Sequence, residues 1–322
     1  MIEKHPLDKS QVRKTTLDNG LKAYLLSDPA FNKSAASMCV GVGSLQDPKT
    51  RQGLAHFLEH MLFLGTKKYP DVDEYSTYLR NNGGMSNAYT AGDHTNYQFQ
   101  VFPDAFEGAL DRFSQFFIAP LFTAEYTDRE KNAVHSEYQK NKMNDNWREQ
   151  QIIFSFVRDG HPQQKFNIGN METLGDIKND ELLEFYNNEY SANRMSLAVL
   201  SNHSLDDMEK WYRKYFSMVP NHDLENIIYD HNVFERKKTF RLVNIEPVKD
   251  IRALEISFAL PGIRKYYRSK PGSILGYITG HEGKGSILSF LKRKNYATTL
   301  TTNIHQTTNT YGFFSLRIDL TQ

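Results

Sequence analysis

Two histidines and a glutamate interrupt an apolar stretch, GLAHFLEHMLFLGT, at residues 53–66. On a helix with about 100° between successive residues, His56, Glu59, His60 and Phe63 fall on one stripe. The opposite stripe carries the apolar residues Leu54, Phe57, Leu58, Met61 and Leu62. The polar side chains are therefore not misplaced core residues. They form a second organised face of the predicted helix.

The spacing of these side chains favours metal chemistry. His56 and His60 lie four residues apart, so their imidazoles project from adjacent turns with Cβ atoms about 6 Å apart. That separation suits two nitrogen ligands of a tetrahedral zinc ion, and Glu59 lies within reach of a water at the same ion. The order H-x-x-E-H is the inverted zincin pattern. A solvated helix face that carries these residues by chance remains the alternative.

A third ligand is expected in the polar stretch TDREKNAVHSEYQKN, at residues 127–141. Four of its residues share one helical stripe, because seven residues return to within about 20° of one direction: Glu130, Ala133, Val134 and Glu137. This face could approach the first helix closely and present a carboxylate to the metal. Two alternatives stay open. Thr127 and Glu130 match a capping box, and Glu137 could be an ordinary exposed glutamate.

Strands and helices that could position these residues occur in mixed order. Patterns of period two or of small buried residues predict strands at residues 17–26, 34–44, 95–102 and 195–201. Helical spacing predicts helices at about residues 51–64, 106–117, 128–143 and 205–215. At residues 220–234 the pattern dissolves into a predicted linker. Beyond it, KTFRLVNI and RALEISFAL begin a second α/β unit, with helical PGSILGYITG and GSILSFLKRK and the strand YGFFSLRIDL.

Length and composition limit the class of protein. A chain of 322 residues exceeds the usual size of one core, which predicts two domains. The net charge of +1 gives no indication of nucleic-acid or acidic-membrane binding. The single cysteine, Cys39, excludes an intrachain disulfide framework. No apolar run reaches about 18 residues, and the first residues lack the apolar core of a signal peptide. We therefore expect a cytoplasmic location.

Several long motifs in order resemble the inverted zincin peptidases of the pitrilysin type, family M16, and within them the insulin-degrading branch. They are GLAHFLEHMLFLGTKKYPDVDEYSTYL, GGMSNAYTAGDHTNYQFQV, EGALDRFSQFF, DREKNAVHSEYQKNKMND, IEPVKDIRALEISFALPG and LGYITGHEGKGSILSFLK. The resemblance covers nearly the whole chain. It implies an α+β fold, a pitrilysin- or processing-peptidase-like sandwich of a mixed, mostly antiparallel sheet with helices. It also implies a catalytic domain at residues 1–222, a linker at 223–234 and part of a second, non-catalytic copy at 235–322.

The same resemblance assigns roles to the polar residues. His56, His60 and Glu137 correspond to zinc ligands, with one Zn²⁺ per chain, and Glu59 corresponds to the catalytic base. Glu130 becomes a carboxylate that orients a ligand histidine.

The stretch GGMSNAYT at residues 83–90 is suited to hold an extended peptide substrate. Its two glycines free the backbone, and the short strand that follows could pair with a peptide as an added edge. The resemblance places Asn87 and Ala88 at that edge. It places Phe63, Tyr89 and Trp147 near the pocket after the scissile bond. Core packing is the alternative for these aromatic residues.

The stretch GHEGKGS at residues 280–286 lacks the spacing of a phosphate-binding P-loop. His281 and Glu282 could form a metal pair, but no third ligand is evident. The resemblance instead places His281 and Gly283 on a distal surface that docks the substrate's N-terminal end.

Enzymes of this family usually continue through four related domains, so we expect this chain to be the N-terminal part of a longer zinc endopeptidase acting on small peptides. Its partners would be peptide substrates and the missing C-terminal half, in cis or in trans, without nucleic acid or membrane. We expect the second unit to leave apolar strand surface without a partner, such as the edge of YGFFSLRIDL, and this predicts a tendency to form homo-oligomers. Two alternatives are a catalytically incomplete peptide-binding or subunit form and a relative of the mitochondrial processing peptidases.

Overall fold

A computed structural model describes residues 4–234, 241–305 and 307–321. The chain divides into two compact units. Unit 1 comprises Met1–Tyr138 and Phe166–Asn226, and unit 2 comprises Gln139–Lys165 and Ile227–Gln322. The predicted domain boundaries remain predictions. The predicted start of the second domain, with the first part of KTFRLVNI, falls on residues 235–240, outside the described residues, and residues 241–245 form no strand.

Both units contain β-strands and α-helices in mixed order along the chain. Across the described residues the strands are β1 (Gln11–Thr16), β2 (Lys22–Ser27), β3 (Ser34–Val40), β4 (Met85–Thr90), β5 (Thr95–Val101), β6 (Met195–Ser201), β7 (Ala253–Pro261), β8 (Ala297–His305) and β9 (Tyr311–Leu320). The helices are α1 (Leu54–Met61), α2 (Glu74–Asn81), α3 (Phe106–Gln115), α4 (Ala124–Lys142), α5 (Asp145–Ser155), α6 (Met171–Leu174), α7 (Asn179–Glu189), α8 (Leu205–Phe216), α9 (Pro271–Gly280) and α10 (Ile287–Arg293).

The sheet of unit 1 has the strand order β1-β2-β6-β3-β5-β4. Neighbouring strands are antiparallel except β2 and β6, which are parallel. The first hairpin turns at Asn19-Gly20, where Gly20 has a φ of +83° that side chains other than glycine rarely adopt. This sheet, with its helices, confirms the predicted α+β class. Strand β4 lies at the edge of the sheet, so one side of its backbone carries no strand partner among the described residues.

The core of unit 1 lies between the sheet and its helices. The predicted apolar stripe of the first helix is buried throughout, with Phe57, Leu58 and Met61 fully inaccessible to solvent. Strand β5 alternates as predicted at its end, since Tyr97 and Phe99 are buried while the glutamines between and after them are exposed. Burying a side chain of this size contributes about 1.5–3 kcal/mol. The helix that carries the polar residues is therefore held by its opposite face.

Unit 2 contains a sheet of order β7-β9-β8, in which both pairs are antiparallel. The expectation that YGFFSLRIDL forms an unpaired edge is wrong, because β9 is the central strand and pairs with β7 and β8. The predicted elements PGSILGYITG and YGFFSLRIDL match α9 and β9 residue for residue. Its buried clusters are small: one gathers Leu288, Ala297, Leu300 and Ile318, and another gathers Val157, Val233 and Tyr311. Within the described residues, no helix combines the length and the apolar character that crossing a bilayer requires.

The capping-box alternative for Thr127 and Glu130 is wrong. Helix α4 begins at Ala124, so Thr127 lies inside its first turn and does not precede it. The Thr127 hydroxyl donates a hydrogen bond to the Thr123 carbonyl at 2.9 Å and another to Asn179 Oδ1 at 2.7 Å. Glu130 is therefore available for contacts outside its own helix.

Candidate metal centre

Helix α1 is anchored at its N-terminus by a carboxylate from an earlier turn. The two Asp47 oxygens accept hydrogen bonds from the backbone N–H of Gly53 at 2.7 Å and of Ala55 at 2.8 Å. These donors belong to the first turn, where a helix has no internal acceptors and where negative charge is stabilised. Asp47 is 3% exposed, so this contact is protected from water. It holds the start of α1 in place, one turn before His56.

The two histidines of α1 both direct their Nε2 atoms towards Glu137. Their ring centroids lie 4.8 Å apart and the rings are nearly perpendicular. His56 Nδ1 lies 2.7 Å from the Ile168 carbonyl oxygen, and His60 Nδ1 lies 3.2 Å from Glu130 Oε2. Both acceptors lack a proton to donate when the carboxylate is ionised, so each Nδ1 must donate. In the neutral form of each imidazole, Nε2 is then left with a free lone pair.

Helix α4 supplies the third group. Glu137 Oε2 lies 3.6 Å from His56 Nε2 and 3.8 Å from His60 Nε2. One ligand atom from each of these three residues falls within 4.8 Å of the others, and no other such group of three occurs among the described residues. The helix is seated by Val134, which is 1% exposed. Ala133 is exposed, so the stripe does not approach its neighbours through that small residue.

The donor set fits a zinc ion with an open coordination position. Two imidazole nitrogens and one carboxylate are a usual three-ligand set of catalytic zinc sites. Ligand histidines in such sites almost always donate the other ring N–H to a carboxylate or a backbone carbonyl. Here Glu130 and Ile168 provide one of each. The arrangement thus meets both the ligand and the orienting requirements of a zinc site.

The surroundings of the two imidazoles shift their pKa values in opposite directions. Burial, and next the charge of His60, lower the pKa of His56 below its ordinary value. Burial also disfavours the His60 cation, but the hydrogen bond to Glu130 and the charges of Glu59, Glu130 and Glu137 outweigh it and raise the pKa of His60. The neutral form of His56 is therefore favoured, and neutral imidazole is the form that binds metals.

Glu59 lies beside this group but has a different partner. It is 7% exposed, and its Oε2 accepts a hydrogen bond of 2.6 Å from the Thr90 hydroxyl. Burial raises the pKa of Glu59, while the Thr90 hydrogen bond opposes that rise. A carboxylate with a raised pKa is better matched to proton transfer near neutral pH. Thr90, the last residue of β4, was not identified from the sequence. The one available signal was its place at the end of the stretch GGMSNAYT.

Strand β4 displays alternate side chains as a sheet edge requires. Asn87 and Tyr89 are exposed, whereas Ala88 is partly buried against the core of unit 1. The Tyr89 ring lies 5.7 Å from the His94 ring across the turn that follows. The backbone of β4 pairs only with β5 among the described strands. The strand predicted to bind an extended peptide therefore has a free edge, and its binding role stays a prediction.

The helical position predicted for Phe63 is wrong. Helix α1 ends at Met61, so Phe63 lies beyond the helix and does not extend its polar face. Its ring packs 5.2 Å from that of Phe116 and 6.1 Å from that of Tyr97, which supports the core-packing alternative. Its assignment to a substrate pocket remains untested.

The other predicted substrate residues belong to unit 2. Trp147, on α5, is 36% exposed. His281 follows α9, where its Nδ1 accepts a hydrogen bond of 3.0 Å from the Gly283 N–H and its ring lies 5.7 Å from that of Tyr277. His281 and Glu282 belong to no three-residue ligand group among the described residues. The substrate roles of Trp147, His281 and Gly283 also stay predictions.

Comparisons of the sequence and of the structure with known proteins both find peptidases. The sequence model of the family described as Insulinase (Peptidase family M16) matches residues 22–165, and that described as Peptidase M16 inactive domain matches residues 176–322. The chain is 45% identical to insulin-degrading enzyme of Homo sapiens over 328 residues, covering 100% of this chain and 32% of the relative. It is 44% identical to A-factor-processing enzyme of Saccharomyces cerevisiae, covering 99% and 32%. The crystal structure of pitrilysin matches with a TM-score of 0.92 and 31% identity, over 99% of this chain and 35% of that one. The chain thus spans about a third of the length of these relatives.

Proposed function

Because this chain belongs to peptidase family M16, we propose that it is the metal-holding part of a zinc-dependent endopeptidase that hydrolyses small peptides. The observation that carries the proposal is the convergence of His56, His60 and Glu137, with one ligand atom of each within 4.8 Å of the others. We assign these three side chains as the ligands of one Zn²⁺, Glu59 as the general base, and Glu130 as the carboxylate that orients His60.

A zinc ion held by these side chains supplies a Lewis acid that acidifies a water molecule and polarises a peptide carbonyl. Glu59 accepts the proton of the attacking water at its carboxylate and can pass that proton to the leaving amine. Thr90 donates to Oε2 of Glu59, which holds that carboxylate in place and leaves Oε1 as the oxygen for proton transfer. The Asp47 contact to the first turn of α1 keeps His56 and Glu59 on a fixed helix.

The substrate would bind as an extended strand on the free edge of β4. Backbone hydrogen bonds to β4 would provide affinity that is largely independent of sequence. The exposed side chains of Asn87 and Tyr89 would contact alternate residues of the peptide. Ala88 presents a small side chain, and within unit 1 Phe63 and Tyr89 are the aromatic residues assigned to the pocket after the scissile bond.

The share of the relatives that this chain matches favours one alternative function. The relatives are about three times longer, and residues that steady the transition state in the whole protein could lie in the part that this chain does not share. Losing one oxyanion donor costs about 10²–10³ in rate. The alternative is a chain that binds zinc and peptide without turnover and needs a C-terminal half, in cis or as a separate polypeptide. We propose a cytoplasmic location for either form.

Metal analysis and a cleavage assay test the proposal together. We expect about one zinc per purified chain, and feeble cleavage of a quenched fluorescent peptide that rises by orders of magnitude when the C-terminal portion of the longer protein is added. Robust, chelator-sensitive cleavage by the monodisperse chain alone would exclude the need for that portion. Absence of bound zinc after dialysis against a zinc buffer would contradict the metal assignment itself.

A further inference from the structure

Gly53, at the start of α1, lies directly against the backbone of another segment of unit 1. Its φ is +89°, and a Cβ added there would lie 2.3 Å from Cα and N of Gly169 and 2.7 Å from the carbonyl carbon of Ile168. Those atoms belong to the main chain and cannot turn aside as the tip of a side chain can. Both the conformation and the space at this position therefore require glycine.

The segment at residues 166–170 is tied to unit 1 at both ends. The Phe166 N–H donates a hydrogen bond of 2.7 Å to Gln52 Oε1, one residue before Gly53. The Asn170 side chain accepts hydrogen bonds from the N–H groups of Glu172 and Thr173, which caps α6. Between these anchors Ile168 is 5% exposed, and its carbonyl faces His56. We call residues 166–170 the docked segment.

The position of this segment decides how His56 is presented. The Ile168 carbonyl accepts the Nδ1 proton of His56 at 2.7 Å, which selects the tautomer with a free Nε2 and fixes the rotation of the ring. Gly53 directly precedes α1, and His56 follows it by three residues. The distance at which the docked segment approaches Gly53 therefore also sets the distance between the Ile168 carbonyl and the His56 imidazole. A displacement of about 1 Å would break a hydrogen bond of this length.

We propose that the docked segment is a positioning element for His56, and that the contact between Gly53 and Gly169 sets the spacing on which it depends. This inference rests on the proposed zinc site, because its function is to orient one of the ligands. Partners of this kind typically change metal affinity by about 10–100-fold when they are lost. Gly53 and the docked segment would thus act on the metal through His56 without touching it.

The first measurement is zinc affinity, by competition with a chromophoric chelator. Gly53→Ala should bind zinc about 10–100-fold more weakly than the unmodified chain. Gly160→Ala is the matched control, since Gly160 also has a positive φ, +79°, but a Cβ there would have nothing within 4 Å. The control introduces the same kind of backbone strain without displacing a neighbour and should keep the original affinity.

The second measurement tests the contact between His56 Nδ1 and the Ile168 carbonyl in the absence of metal. In the zinc-free chain at mildly alkaline pH, ¹⁵N imidazole spectra should show His56 protonated at Nδ1, and Gly53→Ala should lose that preference. Gln52→Leu removes the acceptor of the Phe166 N–H without altering φ at Gly53. It should weaken both the zinc affinity and the preference for the Nδ1–H tautomer. If Gly53→Ala does not fold, Gln52→Leu is judged by the same criteria.

The outcomes separate the inference from the proposed function. Unchanged zinc affinity in a folded variant would overturn the positioning role. Weaker affinity with the Nδ1–H tautomer retained would also overturn it, because Gly53 would then act through α1 alone. A chain that binds no zinc would contradict the proposed function, whereas the tautomer measurement would still decide whether the docked segment orients His56.

Discussion

The two units contain the same run of elements with different consequences. In unit 1 the chain passes from β3 through α1 and α2 to β4 and β5, and the strands are ordered β3-β5-β4. In unit 2 it passes from β7 through α9 and α10 to β8 and β9, and the order is β7-β9-β8. All four pairings are antiparallel. The units thus repeat one topology, in agreement with two M16 domains in tandem.

The first helix of each run differs in chemistry and in burial. Helix α1 carries two histidines and a glutamate on one face and buries the other, whereas α9, PGSILGYITG, carries neither histidine nor carboxylate. On α9 only Gly272 is buried. The description of the second family model as an inactive domain agrees with this difference. A shared topology supplies a helix at this place, but the residue types decide whether it can hold a metal.

The sheets differ as well. Strand β3 pairs with β5 on one side and β6 on the other, whereas β7 pairs only with β9 among the described strands. An unpaired edge exposes backbone N–H and C=O groups that another strand can bind. Apolar side chains on β7 are also exposed, such as Phe258 at 51%. The first strand of the run that contains α1 is therefore paired on both sides, whereas the first strand of the run that contains α9 is paired on one side among the described strands.

The largest expected effect separates the histidines of the two units. His60→Ala should reduce the bound zinc from about one per chain to nearly none, because a catalytic site needs three protein ligands. His281→Ala, in unit 2, should leave the zinc content unchanged. Metal analysis of both dialysed proteins checks this. Equal zinc loss in the two variants would contradict the conclusion that the metal is held in unit 1 and not at His281 of unit 2.

The next effect separates metal binding from proton transfer within α1. Glu59→Gln should keep the zinc and slow peptide cleavage by about 10²–10⁴-fold, the usual contribution of a general base. Glu137→Gln should instead release the metal. Cleavage is measured with the C-terminal portion present, and zinc is measured on the chain alone. If Glu59→Gln lost zinc while Glu137→Gln retained it, the two roles would have to be exchanged.

A smaller effect is expected at Thr90, where strand β4 meets the general base. Thr90→Val removes a hydrogen bond to a carboxylate, a contact that contributes about 1.5–3 kcal/mol, so kcat should fall roughly 10-fold or more. KM and zinc content should stay near their original values, because neither depends on this hydroxyl. Thr90→Ser should restore most of the activity. Loss of activity in the serine variant as well would point to packing of the threonine methyl group.

The smallest effect concerns the stability of unit 2 as a function of pH. The Val248 and Lys249 N–H groups donate to the Asp145 carboxylate at 2.8 Å and 3.1 Å, and these bonds hold the pKa of Asp145 below its ordinary value. A lowered folded-state pKa stabilises the fold above the unfolded pKa, and this stabilisation is lost as the pH falls through the folded pKa. Asp145→Asn should therefore lower the free energy of unfolding at neutral pH and have less effect in acid. Denaturant titrations at several pH values measure it, and a difference that does not vary with pH would count against this role.

Much of the local structure could be predicted from the sequence, because it follows from periodicity along the chain. The opposed stripes of residues 53–66 predicted both the buried face of α1 and the position of His56, Glu59 and His60 on the other face. The alternation in TNYQFQVF predicted β5, and the spacing of PGSILGYITG predicted α9. Periods of 2 and 3.6 residues arise from backbone geometry, so they are visible without any knowledge of distant contacts.

The tertiary structure decided the rest of the site. The helical pattern left Glu130 and Glu137 as equivalent carboxylates on one stripe, and the family resemblance alone assigned them different roles. The approach of α4 to α1 places Glu137 near both Nε2 atoms and Glu130 at His60 Nδ1. The hydroxyl of Thr90 and the carbonyl of Ile168 reach the site from segments 31 and 112 residues away from their partners in the chain. No local pattern records such contacts. They exist because the buried faces of separate elements pack together, and that packing brings their polar groups into one place.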